Sequence, residues 1–258
     1  MLKIEHLTKR YGDYAAVNDL SLHIQPGEIY GFIGHNGAGK TTTLKCVAGI
    51  LGYDEGEIQI GGFDIRSHSL DAKKITAYIP DNPDIYDYMT AIQYLNFIAD
   101  IFEVPQAERE ARIKKYGDMF DLTDKLAQPV NAYSHGMKQK LAVMGALVHD
   151  PKLILMDEPF VGLDPTASFL LKQTMREICD NGGAIFFSTH VLEVAEKLCD
   201  KVAIIKGGKL IRSGTMDEVK GDESLEEVFL ELQNGAKPEA VKDASLNIEI
   251  PTFGRKGK

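Results

Sequence analysis

The chain opens with alternating apolar and polar positions. Residues 2–11 (LKIEHLTKRY) and 15–24 (AAVNDLSLHI) follow this pattern, and a period of two is typical of half-buried antiparallel strands. The segment GEIYGFIG that follows is mostly apolar and predicts a buried strand. A glycine-rich turn then leads into an apolar pattern with helical spacing over residues 41–50. We therefore predict a strand, a loop and a helix in direct succession.

Helical spacing dominates residues 86–147, where AIQYLNFIADIF and SHGMKQKLAVMGAL carry the clearest patterns. Further along, strand and helix patterns alternate. The predicted strands are 152–157, 184–189, 201–206 and 209–214, and the predicted helices are 166–179 and 191–198. This alternation indicates a parallel sheet that binds ligands at the C-terminal ends of its strands.

Together these patterns predict an α/β protein with a mainly parallel sheet, an N-terminal antiparallel β subdomain and an inserted helical subdomain at about residues 86–150. One domain is expected over residues 1–232, with a helical pattern returning from residue 215. Residues 233–258 are expected to form a weakly ordered C-terminal tail, because from residue 235 the composition turns to Lys, Pro, Asn and Gly.

Composition narrows the classes of protein. The chain has 258 residues, and 29 basic against 38 acidic residues give a net charge of -9, which argues against a broad nucleic-acid surface. We therefore expect no nucleic-acid partner. Stretches free of charged residues are too short to span a bilayer, and the start MLKIEHLTK is no signal peptide. We expect a cytoplasmic protein.

The glycine-rich turn GHNGAGKT matches the phosphate-loop pattern G-x-x-x-x-G-K-[ST] in its required context, after a strand and before a helix. Its glycines let backbone N–H groups surround a polyphosphate. Lys40 supplies a charge for the β and γ phosphates, and the Thr41 hydroxyl is suited to Mg²⁺. The candidate loop residues are Gly34, His35, Asn36, Gly37, Ala38, Gly39, Lys40, Thr41 and Thr42. The His35 side chain is expected to face solvent.

Acidic residues follow the apolar strand LILM. Asp157 and Glu158 stand at its C-terminal end, and because neighbouring strand residues point in opposite directions we expect different roles for them. Asp157 is suited to a water-mediated Mg²⁺ contact and Glu158 to polarising an attacking water; the alternative for both is the start of a solvated loop. His190 ends the next strand, at the same sheet edge, where its imidazole is a candidate for contact with the γ-phosphate.

The stretch YSHGMKQK predicts a second anion site. Ser134 is a typical helix N-cap and Gly136 leaves the N2 position free of a side chain, while the first turn holds no acidic residue. Exposed N–H groups at such a terminus attract anions. We expect Met137, Leu141, Met144 and Val148 to form the apolar face of this helix. A plain capped helix is the alternative.

The order of Tyr11, GHNGAGKT, YSHGM, LILMDEP, VGLD and STH resembles the nucleotide-binding subunit of ATP-binding cassette (ABC) transporters. The match covers about residues 1–232 and extends the expected fold to a P-loop NTPase core. The resemblance implies ATP and Mg²⁺ as cofactors. It also implies a second nucleotide-binding subunit and a membrane permease as partners, with the chain peripheral on the inner face of the cell membrane.

Roles for individual residues follow from the same resemblance. Tyr11 would stack on adenine, the loop at 34–42 would hold the phosphates, and Glu158 would be the general base. Asp164 of the GLD stretch would cross to the partner subunit, and His190 would be the switch histidine. Two subunits of the family close head to tail, so that YSHGM of one would complete the ATP site of the other.

Two motifs depart from the family's pattern. His135 and Met137 replace a glycine and a glutamine of LSGGQ, and His135 either adds a donor or only adds bulk near the expected γ-phosphate. Asp81 stands where the family has its Q-loop glutamine; it is a candidate magnesium ligand or a simple turn residue in PDNP. Tyr86 and Tyr88 follow this loop, and we predict that they line the groove for the permease.

The sequence thus predicts an ATPase that energises a separate membrane permease through nucleotide-dependent dimerisation, with export of an unidentified substrate favoured by the short tail SLEEVFLEL. One alternative is a soluble ABC-type ATPase with no transport function. Another is a weakly hydrolysing regulatory subunit in a heterodimer, which the altered Asp81 and His135 would suit.

Overall fold

The computed structural model describes residues 1–83 and 85–234. In chain order, its strands are β1 (Leu2–Tyr11), β2 (Tyr14–Ile24), β3 (Ile29–Ile33), β4 (Glu55–Ile60), β5 (Phe63–Asp64), β6 (Thr76–Ile79), β7 (Leu153–Asp157), β8 (Ala184–Thr189), β9 (Lys201–Lys206) and β10 (Lys209–Thr215). Its α-helices are α1 (Lys40–Val47), α2 (Ser69–Lys74), α3 (Ala91–Ile101), α4 (Gln106–Met119), α5 (His135–Leu147), α6 (Pro165–Asp180), α7 (Leu192–Leu198), α8 (Met216–Lys220) and α9 (Leu225–Asn234).

The strands form two sheets. An antiparallel sheet has the order β2-β1-β4-β5, and a larger sheet has the order β10-β9-β3-β8-β7-β6. In the larger sheet only β10 runs antiparallel to its neighbour. The predicted α/β architecture is therefore confirmed: an N-terminal antiparallel sheet stands beside a mainly parallel one.

Side-chain alternation in the central strands divides the core into two clusters. In β7, Leu153 and Leu155 pack with the apolar residues of β1, β2 and β4, while Ile154 and Met156 pack with α5 and α6. All four are fully buried. Because both faces of the sheet are covered, its strands are apolar throughout, as in other parallel sheets.

Three helices, α3, α4 and α5, lie together between β6 and β7 in the chain. Leu141, Met144 and Val148 on or next to α5 are buried in the core, and Met137 packs against it, so the predicted apolar face is correct. Among the helices in the described part of the chain, none combines the length and apolar content needed to cross a bilayer.

The sequence patterns missed several elements. Strands β4, β5 and β6 and helix α2 occupy residues that carried no prediction, and α1 ends at Val47 although the apolar pattern continued to residue 50. Gly49 takes a φ of 65° just after α1, which stops the helix. Helix α9 runs to Asn234, two residues into the predicted tail. The rest of that tail, 235–258, lies outside the described residues.

Candidate functional site

The phosphate loop connects β3 to α1. Gly39 is the N-cap of α1 with a φ of 110°, and a β-carbon there would come within 2.4 Å of the Ala16 carbonyl oxygen. Only glycine fits such a backbone. Gly34 and Ala38 are buried beneath the loop, and His35, Asn36 and Gly37 are exposed at its tip. The N–H groups at the start of α1 therefore face an open cleft without side-chain obstruction.

Lys40 lies in the first turn of α1 and is only 6% exposed. Its Nζ donates to the carbonyl oxygens of Gly34 at 2.6 Å and His35 at 3.4 Å. It also lies 3.6 Å from Oε1 of Glu158. A buried ammonium with these neighbours gives the loop a fixed positive charge at the point where a polyphosphate would meet the helix terminus.

Asp157 is the last residue of β7 and is 1% exposed. Its Oδ1 accepts a short hydrogen bond from the Ser188 hydroxyl of β8. Its Oδ2 is buried and has no hydrogen-bond partner among the described residues. A buried carboxylate oxygen without a donor is costly and is suited to a ligand such as a metal ion or its bound water.

Glu158 lies just beyond β7, and strand alternation does not set its direction as the sequence argument assumed. Its φ is 48°, a left-handed conformation that is uncommon for a residue with a β-carbon. The Glu158 N–H donates to the Ser188 hydroxyl at 3.1 Å and to the Ser188 carbonyl at 3.2 Å. This turn, rather than the strand, points the Glu158 side chain toward Lys40.

His190 directly follows β8, the strand between β3 and β7 in the sheet. Its Nδ1 lies 2.9 Å from Oε1 of Glu158, and its backbone N–H donates to Oε2 of Glu158 at 3.4 Å. The imidazole is 53% exposed. The predicted placement of His190 at the shared sheet edge is therefore correct, and its ring lies beside the Glu158 carboxylate, whose Oε1 accepts no well-aligned hydrogen bond from the described residues.

Lys40, Asp157 and Glu158 line a cleft of about 480 Å³ at the C-terminal edge of the parallel sheet, and His190 lies beside it next to Glu158. The sequence-predicted residues in its lining are Tyr11, His35, Asn36, Gly37, Gly39, Lys40, Thr41, Thr42, Asp81, Asp157 and Glu158. Tyr11 is 53% exposed at the end of β1, and an exposed ring of this kind is available for stacking. Asp81 reaches the cleft from the loop after β6 and accepts a hydrogen bond from Asn82 N–H.

Six predicted site residues lie outside this lining. Gly34 and Ala38 are buried in the loop and His190 lies beside Glu158, while Ser134, Gly136 and Asp164 form a second cluster near the start of α5. Ser134 is the N-cap of α5 and its hydroxyl accepts from Met137 N–H at 3.3 Å. Gly136 lies so close to the VGLD loop after β7 that a β-carbon on Gly136 would lie 2.7 Å from the Gly162 carbonyl oxygen. The His135 ring also lies beside Gly162. The helix terminus and the VGLD loop thus form one surface.

Asp164 belongs to the same surface and caps α6. It accepts a hydrogen bond from Ala167 N–H at 2.8 Å and lies 2.7 Å from Lys140 Nζ. The Lys140 ammonium, together with the Ala167 N–H, holds the pKa of Asp164 below its usual value. Among the described residues, Asp164 thus contacts Lys140 of α5 and the first turn of α6.

Sequence reasoning missed three residues of the site, Tyr14, Ala16 and Ser188. Tyr14 also lines the cleft and is the cross-strand partner of Tyr11; the two-residue turn in YGDY was the signal for that pairing. Ser188 joins Asp157 to the Glu158 turn. Its position before Thr189 and His190 was visible, but its contacts depend on the pairing of Asp157 with Ser188 in adjacent strands.

A phosphate loop, a buried carboxylate and a neighbouring Glu–His pair at one edge of a parallel sheet define a phosphate-loop nucleotide-binding protein. Comparisons with known proteins then give the family. Residues 17–161 match the family model for ABC transporters.

Relatives include an uncharacterized ABC transporter ATP-binding protein of Synechocystis sp., 35% identical over 235 residues that cover 90% of this chain and 65% of that protein. ABC transporter ATP-binding protein NatA of Bacillus subtilis is 34% identical, with 88% of this chain and 95% of NatA covered. Nod factor export ATP-binding protein I of Ralstonia nicotianae is 35% identical, with 85% and 68% covered. The chain thus spans slightly less than two thirds of the Synechocystis relative.

A solved structure, described as the ATP binding subunit of an ABC transporter, superposes with a TM-score of 0.87 at 33% identity; the match covers 90% of this chain and 99% of that one. The chain belongs to the ABC transporter family, among its ATP-binding subunits. It is an ATPase of that family.

Proposed function

We propose that this chain binds ATP with Mg²⁺ in the cleft beside Lys40, hydrolyses it with Glu158 as general base, and thereby drives a separate membrane permease. The observation that carries this proposal is the convergence of Lys40, Glu158 and His190 at one sheet edge, with Glu158 Oε1 lying 3.6 Å from Lys40 Nζ and 2.9 Å from His190 Nδ1. Phosphoryl transfer depends mainly on positioning and electrostatic stabilisation.

Each residue then has a defined task. The loop N–H groups and Lys40 bind the phosphates, and Tyr11 stacks on the base, with Tyr14 beside it. Glu158 takes a proton from the attacking water. His190 holds the Glu158 carboxylate in place and adds a donor near the transferring phosphoryl group. The left-handed turn at Glu158, fixed by Ser188, keeps the base at the cleft rather than along the strand.

Magnesium fits the residues present. The buried Asp157 Oδ2 lacks a protein donor, and the Thr41 hydroxyl and the Asp81 carboxylate line the same cleft. Thr41 and Asp157 would hold the ion, with Asp81 as a further oxygen ligand. When bound, Mg²⁺ neutralises negative charge on the phosphates.

The second anion-binding surface supports pairing with a second nucleotide-binding subunit. Ser134 is exposed, and neither it nor Gly136 lines the cleft that contains Lys40. We propose that the α5 terminus and the VGLD loop with Asp164 close over the ATP of a partner subunit. Gly136 places no side chain at this terminus, and we propose that its backbone N–H donates to that phosphate.

ATP-dependent dimerisation tests this pairing. With MgATP, the Glu158→Gln variant should shift from the chain mass of 28.5 kDa to twice that mass in light scattering after gel filtration. Adding Ser134→Arg, which fills the α5 terminus, should keep it monomeric. Ala107→Arg adds the same charge to an exposed position on α4 and should not change dimerisation. A dimer that persists with Ser134→Arg would refute the shared site.

Export is the direction we propose. Its support is the similarity to a relative whose name assigns it to Nod factor export. We place the chain on the inner face of the cell membrane, bound to its permease.

Tyr86 and Tyr88 are 47% and 81% exposed, with ring centroids 5.8 Å apart, and exposed aromatic pairs suit a protein interface. These tyrosines are our candidate contact with the permease.

A further inference from the structure

Helix α9 packs into the core beside the phosphate loop. Leu225, Val228 and Phe229 are all buried, and the Leu225 N–H donates to Oε2 of Glu196 in α7 at 3.3 Å. The Phe229 ring meets the His35 ring edge to face, with centroids 4.9 Å apart and an interplanar angle of 61°. A residue near the end of the described chain therefore touches the tip of the loop that binds phosphate.

His35 matters to the loop through its backbone. Its carbonyl oxygen accepts from Ala38 N–H at 3.1 Å and from Lys40 Nζ at 3.4 Å. Two residues on, Gly37 has a φ of 79° and no heavy atom near its missing side chain. Such an exposed glycine gives the tip considerable backbone freedom. Fixing the His35 ring therefore restricts the segment that holds Lys40 in position.

The other end of the loop is held by a different element. Gly208, in the turn between β9 and β10, donates its N–H to the Ala38 carbonyl at 2.9 Å. The loop is thus braced on one side by a backbone hydrogen bond and on the other by an aromatic contact from α9. The aromatic contact involves side chains, so substitutions can remove it without altering the backbone hydrogen bond between Gly208 and Ala38.

We infer that Phe229 is a positioning residue for the phosphate loop. Phe229 acts on the loop through His35, and this contact raises the affinity of the site for nucleotide. The inference rests on the proposed nucleotide site. A loop already ordered before the ligand arrives loses less entropy on binding. Edge-to-face aromatic pairs have energies that correspond to about a 2- to 10-fold change in affinity. Through this contact, the docking of α9 is linked to ATP binding.

A double-mutant cycle on the full chain tests the inference. Isothermal titration with MgADP, which is not hydrolysed, would give Kd for the unmodified chain, Phe229→Leu, His35→Ser and the double variant. Each single substitution should raise Kd by about 2- to 10-fold. The double variant should bind no more weakly than the weaker single variant, because both remove the same contact.

Two further variants separate positioning from general packing. Val228→Ala removes a buried core side chain of the same helix; it should lower the thermal unfolding midpoint and leave Kd unchanged. Phe229→Tyr keeps the ring and should retain the original Kd. Unchanged Kd in Phe229→Leu, or fully additive losses in the cycle, would overturn the inference.

If Phe229→Leu does not fold, His35→Ser alone tests the inference, because it alters an exposed residue. An unchanged Kd in His35→Ser would also contradict the inference. Failure of the unmodified chain to bind MgADP would instead contradict the proposed function.

Discussion

Replacing Ser188 by alanine should destabilise the protein by more than its size suggests. The Ser188 side chain is fully buried. Its hydroxyl donates to Asp157 Oδ1 and accepts from Glu158 N–H. After Ser188→Ala, both oxygens of the buried Asp157 carboxylate lack a protein donor, because Oδ2 has none in the described residues already.

The expected loss follows from these contacts. A hydrogen bond to a charged group contributes about 1.5–3 kcal/mol. The second bond adds little, because Glu158 N–H still has the Ser188 carbonyl at 3.2 Å. We therefore expect Ser188→Ala to lower the free energy of unfolding by about 2–3 kcal/mol. The left-handed turn at Glu158 also loses one of its supports, so the rate of ATP hydrolysis should fall as well.

Urea unfolding at pH 7 without nucleotide measures the first effect. The chain has no tryptophan, so far-UV circular dichroism is the suitable signal. Thr189→Val is the matched control, because it removes the hydroxyl of the next residue in the chain. That hydroxyl accepts a hydrogen bond from Val191 N–H, and its loss should lower the free energy of unfolding by about 1 kcal/mol. If Ser188→Ala is no more destabilising than Thr189→Val, the account of Asp157 is wrong.

Two other outcomes follow from the structure. Burial lowers the pKa of His149 to about 4 from 6.5, and the His149 ring stacks on Phe102 with centroids 3.7 Å apart. As pH falls, His149 of the unfolded chain is protonated before His149 of the folded chain. The free energy of unfolding should therefore decrease by about 2 kcal/mol between pH 7 and pH 5. Urea midpoints at both pH values should show this loss in the unmodified chain and not in His149→Phe, and equal losses in both would contradict it. Separately, joint replacement of Tyr86 and Tyr88 by alanine should reduce co-purification of the permease with the tagged chain while ATP hydrolysis by the purified chain is retained; undiminished co-purification would exclude these tyrosines as the contact.

Much of the fold was predictable because its signals are local. Strands β3, β7 and β8 are each apolar runs followed by a characteristic polar segment: the phosphate loop after β3, Asp157 and Glu158 at the end of β7, and His190 after β8. Strands β4 and β5 were missed because GEIQIGGFDI is short, glycine-rich and charged at its start. Strand β4 forms by pairing with β1, and β5 forms by pairing with β4, so the stability of both depends on residues of β1 about fifty positions away.

The candidate site divides in the same way. Lys40, Asp157 and His190 were predictable from motifs at strand ends. The direction of Glu158 was not, because a φ of 48° arises from the hydrogen bonds of Ser188 on a neighbouring strand. The contact between His35 and Phe229 joins residues at opposite ends of the described chain, and no local pattern predicts such a contact.

The most direct test of the account is ATP hydrolysis by the purified chain beside its Glu158→Gln variant. Glutamine keeps the shape of Glu158 and removes the base, so the rate of phosphate release from MgATP should fall by about 10² to 10⁴, with Kd for ATP within about twofold of the original. Release of phosphate by Glu158→Gln at the unmodified rate, with ATP bound equally well, would contradict the role of Glu158 as the general base.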